Sequence, residues 1–178
     1  MHANRFTLVL TALAAASLAA CASSPTETSR TTPDSNATLL PQAGAPQLLH
    51  CPATQTVSTS ALVTPLGAVL SIAGTSISIP AGALLSPTTV TVTVPASEYM
   101  EVDVTAMGAS HFVFELPVVI TIDYSRCGPV NLFAAPYSAW YIDSETKALL
   151  ELMVSVDNKL TRTVTFTTGH LSGYALAN

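Results

Sequence analysis

The chain predicts an all-β fold, a two-sheet antiparallel β-sandwich, and three observations lead there. From Thr54 onward, short runs rich in Val, Ile and Thr are separated by Gly, Pro, Asp and Asn, the texture of strands joined by tight turns. Several of these runs alternate at period two, which puts one apolar face on a pleated strand. Charged residues make up 10% of the chain and hydrophobic ones 49%, a balance that fits an export signal plus a β-rich body and not a disordered acidic chain.

The elements follow in order. Ser76-Ile77-Ser78-Ile79 alternates, as do Thr89 to Val94 and Thr161 to Phe166, so each predicts a strand with one face buried. Val118 to Ile122 is more continuously apolar and predicts a strand in the middle of a sheet. Ser138 to Ile142 carries the lone Trp140 beside Tyr141 and reads as a second core strand. Asp157-Asn158-Lys159 separates Leu152–Val156 from the strand beginning near Leu160, which is hairpin chemistry. Lys147 to Met153 carries a helical hint, but a strand is the preferred reading.

The N-terminus has its own logic. Met1 to Arg5 supply a short basic start and Phe6 to Ala20 an apolar stretch ending in small residues, a signal-peptide profile too short for a comfortable membrane span. Leu18-Ala19-Ala20-Cys21 resembles the bacterial lipobox. That resemblance implies cleavage between Ala20 and Cys21 and lipidation of Cys21 by diacylglyceryl and N-acyl (palmitate-type) chains. At about 0.8 kcal/mol per buried CH₂, several acyl chains hold far more firmly than one. The expected location is the cell envelope. In a Gram-negative host, Ala22 in place of aspartate implies the outer membrane.

Residues 21–50 read as the lipidated cysteine followed by a flexible Ser/Thr/Pro/Ala linker, with Pro25, Pro33, Pro41 and Pro46 along it. Residues 51–178 then form the β-sandwich. The linker's Leu39-Leu40 and Leu48-Leu49 pairs could dock on the domain, with a few apolar residues in a loose segment as the plainer reading. Beyond residue 20 the bases are Arg30, Arg126, Lys147, Lys159 and Arg162 against eleven Asp and Glu, with no basic stripe for a phosphate backbone, so nucleic acid is not an expected partner. Cys51 and Cys127 are the remaining cysteines. Export to an oxidising compartment makes their disulfide the natural pairing, stabilising by about 4 kcal/mol in the chain-entropy model. Two distant thiols and scattered histidines are too few ligands for a metal site.

Three segments carry a further resemblance. Gly67-Ala68-Val69 through Ile79-Pro80-Ala81-Gly82-Ala83-Leu84, then Phe114-Glu115-Leu116-Pro117-Val118-Val119-Ile120-Thr121-Ile122, then His170-Leu171-Ser172-Gly173-Tyr174-Ala175 together resemble the ZU-five domain. This is the β-sandwich module of netrin receptors, ankyrins, tight-junction scaffolds and many bacterial exported proteins. Pro80 is expected to end a strand because it lacks an N–H. Gly82 would permit a positive-φ turn before Ala83 and Leu84 re-enter the core. In some members of that family the chain cuts itself before a serine. The resemblance implies Ser172 as nucleophile, His170 as base and the Leu171 carbonyl as target, although Leu171 stands where the family has Phe. The structural alternative, and the preferred reading, is that His170 and Leu171 pack at the start of the last strand while Ser172 turns or hydrogen-bonds locally.

Other chemistry is thin. His50, His111 and His170 lack the short spacings of a zinc site. No phosphate loop, dinucleotide fingerprint or hydrolase elbow is present. Glu98, Glu101 and Asp103 would suit calcium with backbone carbonyls, with a solvated loop as the plainer reading. The expectation is therefore a lipid-anchored, non-catalytic interaction or structural module, with no cofactor and no metal. It would meet the membrane through Cys21 and an envelope protein through the domain. Self-cleavage at Leu171-Ser172 and carbohydrate binding are the alternatives, the latter poorly supplied with aromatics at 6%.

Overall fold

Where β-branched and aliphatic residues recur every second position, the chain extends and turns them to one side. Residues 44–106, 112–129 and 131–178 are described in a computed structural model, and they belong to one unit, Ala43–Asn178. In chain order the strands are β1 (His50–Ala53), β2 (Val57–Val63), β3 (Ala68–Ile72), β4 (Thr75–Ile79), β5 (Thr88–Val94), β6 (Ser97–Tyr99) and β7 (Glu101–Ala106). They continue with β8 (Phe112–Asp123), β9 (Ser138–Ile142), β10 (Leu149–Leu152), β11 (Ser155–Asn158), β12 (Thr163–Leu171) and β13 (Gly173–Ala177). A 3₁₀ turn at Ser125–Cys127 follows β8.

All the pairings between these strands are antiparallel. One sheet has six strands in the order β10-β9-β13-β7-β5-β2, a second has five in the order β11-β12-β8-β4-β3, and β1 pairs with β6. The first two sheets enclose a common core. Val90, Val92, Val102, Val104, Tyr174 and Leu176 come from one, and Leu70, Ile77, Val118, Ile120, Ile122, Val164 and Phe166 from the other. Phe166 and Tyr174 meet across the interface with ring centroids 5.1 Å apart. The fold is the all-β sandwich that the alternating runs predict.

Most predicted strands fall where the periodicity puts them, and the differences have physical reasons. Val118–Ile122 does run in the sheet's interior between β4 and β12, yet Val119 is exposed, so the stretch still buries only one face. In β9 the alternation turns Ala139 inward, and Trp140 is half-buried against the outer side. The run Leu152–Val156 is not one strand. It bends at Met153, which enters the core, and the chain passes from the six-stranded to the five-stranded sheet. Thr161 and Arg162 belong to the β11–β12 turn, where Arg162 takes φ +57° and Asn158 Oδ1 accepts the N–H groups of Leu160 and Thr161.

Residues before 51 also pair with the sandwich. Gln47 N–H donates to Asn178 O at 2.9 Å, Leu49 N–H to Leu176 O at 2.7 Å, and Met100 N–H to Leu49 O at 3.0 Å. Leu49 packs on the core. Residues assigned to the linker by composition thus satisfy the last turn of β13, whose backbone groups β7 no longer reaches. The Cys51–Cys127 disulfide is present, with Cα atoms 4.7 Å apart, and it fastens β1 to the 3₁₀ turn. Arg126 reinforces it by donating to the carbonyls of Cys51 and Pro52, both at 3.1 Å.

The first of the three motif segments folds as its residues require. Gly82 has φ +83°, and Ala83 and Leu84 beyond it are buried. Gly67, at φ +81°, nests on that turn so closely that a Cβ would lie 2.8 Å from Pro80 C, 2.9 Å from Ala81 N and against Ile79 O.

Candidate functional site

The His170-Leu171-Ser172 segment sits where the chain leaves one sheet for the other: β12 ends at Leu171 and β13 starts at Gly173. Leu171 is buried and remains in the ladder opposite Phe112. The Ser172 carbonyl accepts the Val104 N–H at 3.0 Å, tying the crossing to β7. Left-handed backbone at non-glycine residues occurs at Ala73, Lys147 and Arg162, not at the Leu171-Ser172 bond.

A polar network surrounds His170. Its ring packs edge-on to Tyr141 with centroids 5.3 Å apart, and its Nδ1 lies 3.4 Å from the Tyr174 hydroxyl. That hydroxyl donates to the His170 carbonyl at 2.6 Å and exchanges a 2.8 Å hydrogen bond with the buried Thr168 hydroxyl. Burial pushes the Tyr174 phenol up to about 12, so at neutral pH it is a neutral donor. Nothing in the spacing of Thr168, His170 and Tyr174 announces this network, because β12 and β13 bring its members together only by crossing between sheets.

Beside the crossing lies a cleft of about 440 Å³, lined among others by Thr93, Asp103, Thr105, Phe112, Ser144 and Ser172. Gly173 lies beneath it, and a Cβ there would come 2.8 Å from Asp103 Oδ1 and into the Ser144 hydroxyl. Ser144 donates to Asp103 Oδ1 at 2.9 Å. The cleft thus offers hydroxyls and one carboxylate, a hydrogen-bonding surface. His170 is not part of its lining.

The other sequence candidates are scattered. Ala20, Cys21, the Leu39-Leu40 pair and His111 lie outside the described residues. His50 is exposed on β1. Glu98, Glu101 and Asp103 do not form the solvated acidic loop that their spacing suggests. Glu98 is on β6, and alternation along β7 turns Val102 and Val104 into the core. Glu101 is 3% exposed and pairs with Lys147 at 2.9 Å. Among the described residues no three His, Cys, Asp or Glu side chains converge as a metal site would require. No helix of the described residues is long and apolar enough to cross a membrane.

A different surface stands out, one that local motifs do not reveal. Strands β10 and β11 are the outermost strands of the two sheets on the same side. Along them Leu150, Leu152, Val154 and Val156 are exposed at 53%, 54%, 88% and 71%. Trp140 is the register partner of Leu152 and lies on the same outer face of the six-stranded sheet, whereas Val156, opposite Thr165, is on the outer face of the five-stranded one. No family model matches the chain, and no curated protein is significantly similar to it.

Proposed function

We propose that this chain is a lipid-anchored cell-envelope protein whose ZU-five-like β-sandwich serves as a non-catalytic interaction module. The observation that carries the module reading is the exposed apolar edge of Leu150, Leu152 and Val154 along the outermost strand β10 and the bend after it. Exposed apolar edges invite strand addition or pairing, and isolated domains normally blunt them with charge or cover them. Leu152 shares the outer face of the six-stranded sheet with its register partner Trp140, while Val156, opposite Thr165, lies on the outer face of the five-stranded sheet, so the apolar edge is exposed from both sides of the sandwich.

The anchor reading is supported by the lipobox-like Leu18–Cys21 and by a disulfide suited to an oxidising compartment. Two measurements test the proposal. Cys21→Ser should shift the protein out of the membrane fraction or leave it unprocessed; normal maturation with continued membrane fractionation refutes the anchor. A photo-crosslinking residue at Val154 should give one discrete adduct in intact envelopes, while one at the exposed Ser58 gives none. Equal yields at the two positions refute the module reading.

A further inference from the structure

We propose that the end of the sandwich nearest the tether is a membrane-contacting tip, with Leu132, Phe133 and Leu160 entering the bilayer surface. The inference rests on the lipid-anchored reading above.

The first observation is the tip itself. Residues 128–136 include no charged side chain, and Leu132 and Phe133 are exposed at 55% and 98%. Lys159, in the β11–β12 turn, donates its ammonium protons to the carbonyls of Asn131, Ala134 and Ala135. It thereby joins this loop to the turn that carries Leu160, which is 85% exposed. Asn131 Oδ1 accepts the Phe133 N–H, and Asn131 O accepts the Ala134 N–H. Backbone polar groups that already have partners are the condition for a loop to meet hydrocarbon cheaply. From below, Asp157 accepts the Tyr137 N–H and the Tyr124 hydroxyl, so the loop is held in place rather than left to collapse onto the core.

Charge is the second observation. On the two joined segments, 128–136 and 158–162, the only charged side chains are Lys159 and Arg162, and cations beside an apolar tip complement anionic headgroups. The opposite end also exposes apolar residues, Leu66, Leu85 and Val113, but the charged residue flanking them is Glu115, which anionic lipid repels.

Position decides between the ends. Gln47 pairs with Asn178, and β9, which follows the apolar loop, pairs its Ser138 with Ala177. The tether therefore joins the fold at the same end as Leu132 and Phe133. A flexible Ser/Thr/Pro-rich linker the length of residues 22–43 would reach roughly 25 Å on average, whereas the 12 residues of β8 span about 40 Å at some 3.3 Å per residue. Turning the far end toward the bilayer would require the tether to run the length of the sandwich.

The test uses the lipidated full-length protein in a Trp140→Phe background, with either Phe133→Trp or Leu85→Trp, in phosphatidylethanolamine–phosphatidylglycerol vesicles brominated on the acyl chains. The tryptophan at 133 should shift to the blue and be quenched several-fold more than the one at 85. Vesicles that float with the protein but quench neither probe, or quench both equally, overturn the tip. A protein that carries no lipid and does not float overturns the anchor instead. The same vesicles added to that unlipidated protein then judge the tip separately: quenching confined to position 133 sustains it, and none ends it.

Discussion

The Cys51–Cys127 disulfide closes a loop of 76 residues that contains β2 through β8, so its largest effect should fall on the unfolded chain. Cross-linking at that separation removes loop entropy equivalent to about 4.5 kcal/mol at 25 °C in the chain-entropy model. For a domain of this size each kcal/mol corresponds to roughly 3–4 °C, so reduction should lower the melting temperature by roughly 15 °C. Cys51 is 1% exposed and packs in the core, so the Cys51→Ala, Cys127→Ala variant should lose slightly more through the small cavity. The assay is urea denaturation of oxidised, reduced and doubly substituted protein followed by circular dichroism. The reduced form should show a lower midpoint together with a steeper denaturant slope, because its unfolded chain exposes more surface. A loss below about 1 kcal/mol with an unchanged slope would refute the entropic reasoning and point instead to residual structure that already confines the reduced, unfolded chain.

Gly67→Ala should cost more than about 2 kcal/mol, because it combines a left-handed residue with a backbone clash, whereas Gly173→Ala should cost about 1 by displacing only the Ser144–Asp103 hydrogen bond; equal losses in thermal melts would contradict this. Lys147→Met leaves the buried Glu101 carboxylate without its cation and should destabilise by about 2 kcal/mol, less than for a fully buried pair because the lysine end is partly in water; an unchanged denaturation midpoint would count against it. The Tyr174 phenol is raised from 10.0 to about 12, chiefly by burial. It therefore contributes stability that is complete below pH 10 and is lost as pH rises toward 12; Tyr174→Phe should flatten that alkaline loss in melts taken across the range, and an identical pH profile would refute the assignment. Ser172→Ala should leave the intact mass unchanged in denaturing mass spectrometry, and a wild-type fragment beginning at Ser172 that disappears in the variant would show the domain to be self-processing.

Local pattern determined much of this protein. Alternation at Ser76–Ile79 and Thr89–Val94 fixed which side chains face the core, because period two leaves a pleated strand little choice once one face is buried. Pro80 and Gly82 determined a turn through their own backbone chemistry, and the two cysteines left after Cys21 determined each other as partners. What tertiary structure alone decided depends on which strands become neighbours. The segment from Leu149 to Asn158 looks continuous in sequence, yet whether it bends at Met153 depends on two sheets competing for its two halves. Glu101 reads as a solvent residue until Lys147, 46 positions away, is brought over it. The apolar edge beside Trp140 and the loop held by Lys159 likewise come from long-range pairing, and the Thr168–His170–Tyr174 network, though its members lie within seven residues, forms only because the chain crosses between sheets there. An isolated Leu or Phe in a sequence carries no sign of whether a neighbouring strand will cover it, and only the sheet order settles which apolar residues are left facing water.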